Sequence, residues 1–328
     1  MKPPIASKTP KELTIHNHTR VDNYYWLNDR NNPEVIKYLN EENNYTSNKM
    51  KHTENLQKEL FDEITGRLDK EESSAPYYLG GYFYSQRYQK GCEYPIFIRK
   101  QDSLSGDEEI LIDQNKLSLN QPFCAIGQMS VDSKNKLLAY SVDFVSRRLY
   151  DIYFKNLKTG ELLQETIKGT SGSFAWANDG KTIFYTRKDE QTLRSNQIYK
   201  HIVGTNSDKD ELVFKEEDET FTCNVYQSKS RSYVIIGSYS TISTEYRIVS
   251  AESPDEEFKI FEPRRRNHEY SIDHKGDDFY IVTNIEEAKN FKLMKCPIKH
   301  TESIHWKEVL PHRQDVLLED IEVGSPSL

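Results

Sequence analysis

The 328-residue sequence has few cysteines, no long apolar run and no excess of basic residues, and each shortage excludes a class of protein. The four cysteines, Cys92, Cys124, Cys223 and Cys296, show no CxxC spacing, so we expect neither disulfides nor a zinc framework. No apolar run reaches the ~18–20 residues of a membrane span, so we predict no membrane partner. The 44 Lys and Arg residues against 52 Asp and Glu residues argue against a nucleic-acid partner.

The sequence also lacks the motifs that bind common cofactors. It has no P-loop, no Rossmann glycine pattern, no EF-hand loop and no zinc spacing, so we expect no cofactor and no metal. His16 and His18 could chelate a metal from one strand face, but without a third ligand we interpret them as surface residues. The N-terminal segment MKPPIASKTPKEL has no apolar core typical of a secretory signal, which favours a cytoplasmic protein.

The sequence is rich in aromatic residues. They make up 12% of the chain, and the 21 tyrosines are the largest group among them. Tyrosine covers strand surfaces well and keeps a polar tip, so a folded core is compatible with a hydrophobic content of 36%. The composition therefore favours an ordered chain with many strands over a disordered one.

The first 72 residues show a helical pattern. Asn32-Pro33-Glu34 is typical of a helix start, with a capping side chain, a proline in the first turn and an acid near the positive end of the helix dipole. Apolar residues then recur at helical spacing, which predicts two helices or one broken helix over 33–68. These residues are Val35, Ile36, Leu39, Leu56, Leu60, Ile64 and Leu68.

From about residue 73 onward the pattern changes to short strands that recur along the chain. Five apolar-aromatic strand cores begin 46 to 55 residues apart, and each follows a polar turn. The cores are Tyr82–Tyr84, Leu137–Tyr140, Ile183–Tyr185, Tyr233–Ile236 and Phe279–Val282. Several strands per unit at this period indicate a β-propeller, in which each unit is one blade. An ordinary β-sandwich with irregular strands is the alternative.

The predicted fold is mainly β, an incomplete β-propeller preceded by a short α-helical arm. We assign residues 1–72 to the arm with its helices, 73–323 to the partial propeller and 324–328 to a divergent tail. The propeller would have about five blades plus the start of a sixth, whose first strand is predicted at Val316–Ile321. Open blade edges predict self-association of the chain.

Seven stretches of the sequence together resemble one enzyme family. They occur in the same order as in the N-terminal part of the oligopeptidase B branch of the prolyl oligopeptidase family of serine peptidases, and the resemblance covers about 1–323. The stretches are Thr19–Leu27 (TRVDNYYWL), Pro33–Asn43 (PEVIKYLNEEN), Gly91–Tyr94 (GCEY), Phe144–Arg148 (FVSRR), Phe174–Asp179 (FAWAND), Pro263–His274 (PRRRNHEYSIDH) and Leu317–Asp320 (LLED).

The resemblance implies a peptidase whose propeller caps an α/β-hydrolase domain and admits short peptides. Members of this branch cleave after Lys or Arg, and their catalytic Ser, Asp and His lie in the hydrolase domain. We therefore expect this chain to be inactive alone. The tail Gly324–Leu328 is similar to a stretch before the nucleophile strand, which fits an internal deletion. Truncation with a chance tail is the alternative.

The resemblance also implies a hinge where the arm meets the first blade. This junction is Ser73, Ser74, Ala75 and Pro76, and the proline restricts the backbone there so that a swivel would be localised. In this family the junction forms part of the hinge between the two domains. We therefore predict that these four residues act as a hinge.

Two charged segments are candidate contact sites. Arg264, Arg265 and Arg266 could present guanidinium groups to a carboxylate of a peptide or of a partner domain, or could form a solvated loop. His268, four residues beyond Arg264, could line the tunnel or support turn hydrogen bonds. The acidic run Glu216–Glu219 could attract basic peptides or form a solvated loop between blades.

No catalytic residue is predicted in this sequence. Gly169–Ser173 (GTSGS) is the nearest match to a G-x-S-x-G nucleophile elbow, but a strand pattern follows it, so we interpret it as a turn between blades. None of the nine histidines pairs with a credible nucleophile. Two functions stay open: the gating part of a peptidase that acts on short peptides, and a stand-alone propeller that binds peptides or a separately encoded hydrolase domain.

Overall fold

The computed structural model describes residues 2–324 and is mainly β. The chain divides into two compact units, Met1–Lys70 and Glu71–Leu328, and the division falls two residues before the boundary that the sequence predicts. Within 2–324, none of the helices combines the length and the hydropathy that crossing a membrane would need. Residues 325–328 of the predicted tail lie outside the described residues.

The first unit contains a β-hairpin and two helices. The hairpin pairs β1 (Lys11–Ile15) with β2 (His18–Asp22), and the helices are α1 (Pro33–Met50) and α2 (Glu54–Gly66). The side chain of Asn32 accepts a hydrogen bond from the Glu34 backbone N at 3.0 Å and so caps α1. The predicted pair of helices and its capping residue are confirmed.

The apolar residues of these helices are mostly exposed. Val35 is buried in α1, whereas the apolar side chains of α2 each expose about half of their surface or more. The exposed members of the predicted helical stripe are Ile36, Leu39, Leu56, Leu60, Ile64 and Leu68. The helices are thus amphipathic, and their apolar face is largely exposed.

The second unit consists of antiparallel sheets whose strands follow one another in chain order. The first sheet contains β3 (Tyr77–Leu79), β4 (Tyr82–Arg87), β5 (Ile96–Gln101) and β6 (Glu108–Asp113), and the short helix α3 (Gln114–Leu117) follows it. A seven-stranded sheet comes next, with β7 (Ala125–Val131), β8 (Leu137–Asp143), β9 (Tyr150–Asn156), β10 (Leu162–Trp176), β11 (Thr182–Lys188), β12 (Ser195–Ile202) and β13 (Glu211–Lys215).

Two further four-stranded sheets complete the described part of this unit. One contains β14 (Thr222–Gln227), β15 (Tyr233–Tyr239), β16 (Thr244–Ser250) and β17 (Lys259–Glu262). The other contains β18 (Tyr270–Lys275), β19 (Asp278–Thr283), β20 (Lys292–Pro297) and β21 (Lys307–Leu310). All five predicted strand cores lie in strands, each being the second strand of a four-stranded repeat.

The long strand β10 belongs to two repeats at once. Its first half pairs with β9, with Ile167 opposite Ile152, and its second half pairs with β11, with Trp176 opposite Ile183. The segment Gly169–Ser173 lies inside this strand, so the predicted turn between blades is wrong. The register shifts there accommodate the bend without breaking the strand.

The hydrophobic core lies between neighbouring sheets. One cluster joins Phe184 of the seven-stranded sheet to Val234 and Ile236 of the next sheet. Another joins Ile235 to Phe279 in the last sheet. Each sheet therefore buries its faces against its neighbours in the chain, as expected for a repeat architecture.

The first hairpin turns of successive four-stranded repeats are also linked by hydrogen bonds. Asn135 Nδ2 donates to the Gly80 carbonyl at 3.1 Å, and Ser133 Oγ donates to the Asn178 carbonyl at 2.8 Å. Asn178 Nδ2 donates in turn to the Arg231 carbonyl at 3.0 Å. The bonds from Asn135 and Asn178 fix the spacing between sheets that share no strand pairing, and the bond from Ser133 joins the two repeats of the seven-stranded sheet.

Residues 311–324 form no strand, so the strand predicted at Val316–Ile321 is wrong. A strand exists only where a neighbouring backbone supplies a ladder of hydrogen bonds. In this segment the Leu318 N–H donates to the Asn290 carbonyl at 2.9 Å, which is a single contact and not a ladder. The apolar pattern alone does not provide the pairing partner.

Candidate functional site

The candidate site lies on the connection between β17 and β18. This connection, residues 263–269, carries the three arginines and the histidine that the sequence analysis selected. It faces the turn between β19 and β20, residues 284–291, so the two segments form opposite walls of one cleft. The four selected side chains have different surroundings.

Arg264 is held inside the protein by two carboxylates. Its Nη2 donates to Glu216 Oε2 at 2.6 Å and to Glu245 Oε1 at 3.0 Å, and its guanidinium lies 4.0 Å from the centre of the Phe221 ring. Burial alone would lower the pKa of Arg264, but the two carboxylates outweigh it and raise the pKa above its ordinary value. Both carboxylates are buried.

The acidic run and the basic run therefore meet each other. Burial alone would raise the pKa of Glu216, but its hydrogen bonds with Arg264 lower that pKa below its ordinary value. Glu217 pairs instead with Lys215 at 2.9 Å, and Asp218 accepts hydrogen bonds from Thr220. Glu216 thus makes a long-range contact, while Glu217 and Asp218 make local ones.

Arg265 and His268 both line the cleft. Arg265 Nη2 donates to Glu262 Oε1 at 3.0 Å while half of its side chain stays exposed. The buried His268 ring is bonded through Nε2 to Thr283 Oγ1 at 3.1 Å and stacks on Tyr270. Burial, and then the charge of Arg265, lowers the pKa of His268 to about 4, so the ring is neutral near pH 7.

Arg266 is exposed like Arg265, but it lacks the ion pair that Arg265 makes. Its side chain has no hydrogen bond or ion pair with any residue of 2–324, and the same is true of Lys289 on the opposite wall. The cleft between residues 265–268 and 284–289 has a volume of about 440 Å³. Unpaired cations at its rim suit a carboxylate, which a guanidinium can bind through two hydrogen bonds.

The predicted hinge is tied to the first sheet. Ser74 N donates to the Gln86 carbonyl at 2.9 Å, Gln86 N donates to Ser74 Oγ at 3.0 Å, and Ser73 forms a bridge with Arg87. Ala75 and Pro76 lead from this bridge into β3. The start of the segment is thus anchored beside the end of β4, and its role as a hinge stays a prediction.

The structure also brings together a serine and a histidine that the sequence analysis did not pair. A hydrogen bond of 2.7 Å joins Ser230 Oγ, in the turn between β14 and β15, to His274 Nδ1 in β18, 44 residues away. In a catalytic triad the serine bonds Nε2 and the acid bonds Nδ1, whereas here the serine bonds Nδ1, and Nε2 has no hydrogen-bond partner among the described residues. The ring packs against Tyr233 and Phe279, so the pair serves the contact between sheets.

Two curated relatives are similar to nearly the whole chain. Dipeptidyl aminopeptidase BI of Pseudoxanthomonas mexicana is 37% identical, over 98% of this chain and 47% of its own length. Protease 2 of Moraxella lacunata is 33% identical, over 99% of this chain and 49% of its own length. The chain therefore spans about half the length of the curated relatives it matches.

A solved structure shows the same architecture. Oligopeptidase B from Leishmania major superimposes with a TM-score of 0.89 at 28% sequence identity, covering 97% of this chain and 47% of that chain. The family model for the prolyl oligopeptidase N-terminal beta-propeller domain matches residues 3–328. This chain thus belongs to the family of prolyl oligopeptidase N-terminal β-propeller domains.

Proposed function

We propose that this chain is the propeller part of a serine oligopeptidase similar to oligopeptidase B, and that it controls the access of peptides to a hydrolase domain. The observation that carries the proposal is the match of 98% of the chain to slightly less than half of a related peptidase. The substrates of the whole enzyme would be short peptides cleaved after Lys or Arg. The propeller would admit only short peptides and so exclude folded proteins and long unfolded chains.

The strand order supports a propeller of five described blades. The first sheet is one blade, and the last two sheets are one blade each. The seven-stranded sheet supplies two more, because β10 closes one blade with its first half and opens the next with its second half. Residues 311–323 would then lead toward a sixth blade.

The apolar face of α2 supports a protein partner. Leu56, Leu60, Phe61 and Ile64 expose about half of their surface or more on a helix whose polar residues face the other way. Burial of such a face on a second domain is favourable at roughly 25 cal/mol per Å² of apolar surface. We assign the hydrolase domain as the partner of this face.

The cleft beside Arg266 supports contact with the peptide substrate. Arg265 and Arg266 would bind a carboxylate of the peptide, while the neutral ring of His268 holds the floor of the cleft in place. Arg264, which pairs with two buried carboxylates, would act on the shape of the loop rather than on the ligand.

A chimera tests the gating role. The chain would replace the aligned N-terminal half of Protease 2, and the product would be assayed on a series of arginine-containing peptides of increasing length and on an unfolded protein. We expect hydrolysis of the short peptides and little cleavage of the protein. The control is the same chimera with its catalytic serine replaced by alanine.

Two results would contradict the proposal. Cleavage of the unfolded protein as fast as the shortest peptide would show that the propeller does not restrict access. A folded chimera without any hydrolysis, together with tight binding of peptides by the isolated chain, would favour the stand-alone binding module.

A further inference from the structure

Three potential metal ligands lie together on the connection between β20 and β21. They are His300, Glu302 and His305, and one ligand atom from each lies within 4.8 Å of the others. The two imidazole rings are 4.9 Å apart between their centres. All three side chains are exposed and lie outside the cleft described above.

The backbone that carries these side chains is braced at both ends. The His300 N–H donates to the Pro297 carbonyl at 3.0 Å, and the His305 N–H donates to the Glu302 carbonyl at 2.9 Å. The first bond closes a turn after β20, and the second closes the short helical turn Ser303–His305. The spacing of the three ligands is therefore set by local hydrogen bonds.

Buried side chains hold the middle of the connection. Ser303 N and Oγ donate to the buried Glu262 carboxylate at 2.7 and 2.9 Å. The buried Trp306 donates through Nε1 to the Thr301 carbonyl at 2.7 Å. A loop fixed in this way loses less conformational entropy when it binds a ligand than a free loop would.

The ligand set selects one class of metal. Two imidazole nitrogens and one carboxylate oxygen suit Zn²⁺ and its neighbours Co²⁺, Ni²⁺ and Cu²⁺, whereas Mg²⁺ and Ca²⁺ prefer oxygen ligands alone. Zinc–ligand bonds of about 2 Å place ligand atoms about 3.3 Å apart in a tetrahedral site. Side-chain rotation of exposed residues covers a difference of about 1.5 Å from the observed separation.

The geometry points to a surface site for a divalent transition metal, with Zn²⁺ the expected ion, held by His300, Glu302 and His305 and completed by water. The ion would join the turn after β20 to the helical turn before β21, and so fasten the last strand of its sheet. Binding to the folded chain and not to the unfolded one would raise the melting temperature.

The test is a titration of the full chain, freed of metal by a chelator, with zinc in a calorimeter. We expect one zinc ion per chain at this site. His305→Ala and Glu302→Gln should each weaken binding by about tenfold or more, because even loss of an outer partner of a metal ligand costs that much. Cobalt should produce a visible absorption band that His305→Ala abolishes.

Matched controls separate this site from other surface ligands. His18→Ala removes an exposed histidine outside the cluster, and Cys92→Ser removes an exposed thiol, so both should leave zinc affinity unchanged. Magnesium should give no heat of binding. The metal-free melting curves of all variants should coincide with that of the chain itself, since every substituted side chain is exposed.

Zinc should also raise the melting temperature of the chain by about 2 °C or more, and of the His18→Ala variant equally. The proposal would be overturned if the chain bound no zinc under these conditions. It would also be overturned if His305→Ala and Glu302→Gln bound zinc as tightly as the chain itself.

Discussion

The helices of the first unit and the sheets of the second unit differ in how far their apolar side chains are buried. Leu60 and Ile64 of α2 expose about half of their side chains, whereas Ile183 and Phe184 of β11 are fully buried. The apolar residues of α2 recur at helical spacing, whereas those of β11 form a continuous run that is buried on both faces of the strand. The difference teaches that periodicity predicts which face is apolar, while burial depends on a neighbour, which successive sheets provide for each other.

The largest expected effect comes from a core residue between two sheets. Phe184→Ala should lower the free energy of unfolding by about 3–5 kcal/mol, because it leaves a cavity in a fully buried cluster. Phe61→Ala removes a phenyl ring from the exposed face of α2 and should change the free energy of unfolding by less than about 0.5 kcal/mol. Urea unfolding of both variants checks this, and similar losses in the two would refute the comparison.

The next largest effect on stability should distinguish two arginines of the same loop. Arg264→Ala leaves the buried carboxylate of Glu216 without its cation, and leaves Glu245 with Arg247 alone, so it should cost about 3 kcal/mol. Arg266→Ala removes an exposed side chain and should cost less than about 0.5 kcal/mol. Equal melting temperatures for the two variants would contradict the assigned roles.

Much of this architecture is predictable because it depends on local sequence. The Asn32 cap is specified by its own few residues, and the strand cores at β4, β8, β11, β15 and β19 are specified by turns that precede aromatic runs. The contact of Arg264 with Glu216 joins residues 48 positions apart, and no local pattern encodes it.

The wrong predictions have the same cause. Gly169–Ser173 has the composition of a turn, and Gly169 and Gly172 have positive φ, but Thr170 pairs with both β9 and β11 and keeps the segment within one strand. Val316–Ile321 has the composition of a strand, but no neighbour forms a ladder with it in the described part of the chain. In both segments the presence or absence of a pairing strand decides the secondary structure, rather than the intrinsic propensity of the residues.

A smaller, pH-dependent effect on stability is expected from a buried histidine in the seven-stranded sheet. The fully buried His201 lies 2.7 Å from Asp210 through Nδ1 and 3.1 Å from Glu165 through Nε2. Burial alone would lower the pKa of His201, but the two carboxylates raise it above its ordinary value. The protonated His201 therefore stabilises the fold. This stabilisation is complete below about pH 6.5 and is lost as the pH rises through the raised pKa of His201.

His201→Asn should accordingly lower the melting temperature more at about pH 6 than at about pH 9. His274→Asn is a control of opposite sign, because burial lowers the pKa of His274 and makes its protonation destabilising. Its effect on the melting temperature should shrink as the pH falls. Parallel pH profiles for the two variants would show that His201 carries no charge in the folded chain.

The smallest effect on stability is expected on the exposed face of α2. The double variant Leu60→Ser, Ile64→Ser should change the free energy of unfolding of the sheets by less than about 0.5 kcal/mol while reducing self-association. Sedimentation velocity measures the association, with Gln57→Ser on the same helix as the control. Unchanged association in the double variant would show that another surface, such as an open sheet edge, mediates it.

The most direct test of the central claim is the hydrolysis of a fluorogenic arginyl amide, measured for this chain alone and for its chimera with the C-terminal half of Protease 2. The account predicts no turnover by the chain alone and turnover by the chimera that a serine-directed inhibitor abolishes. Inhibitor-sensitive turnover by the chain of 328 residues alone would contradict it.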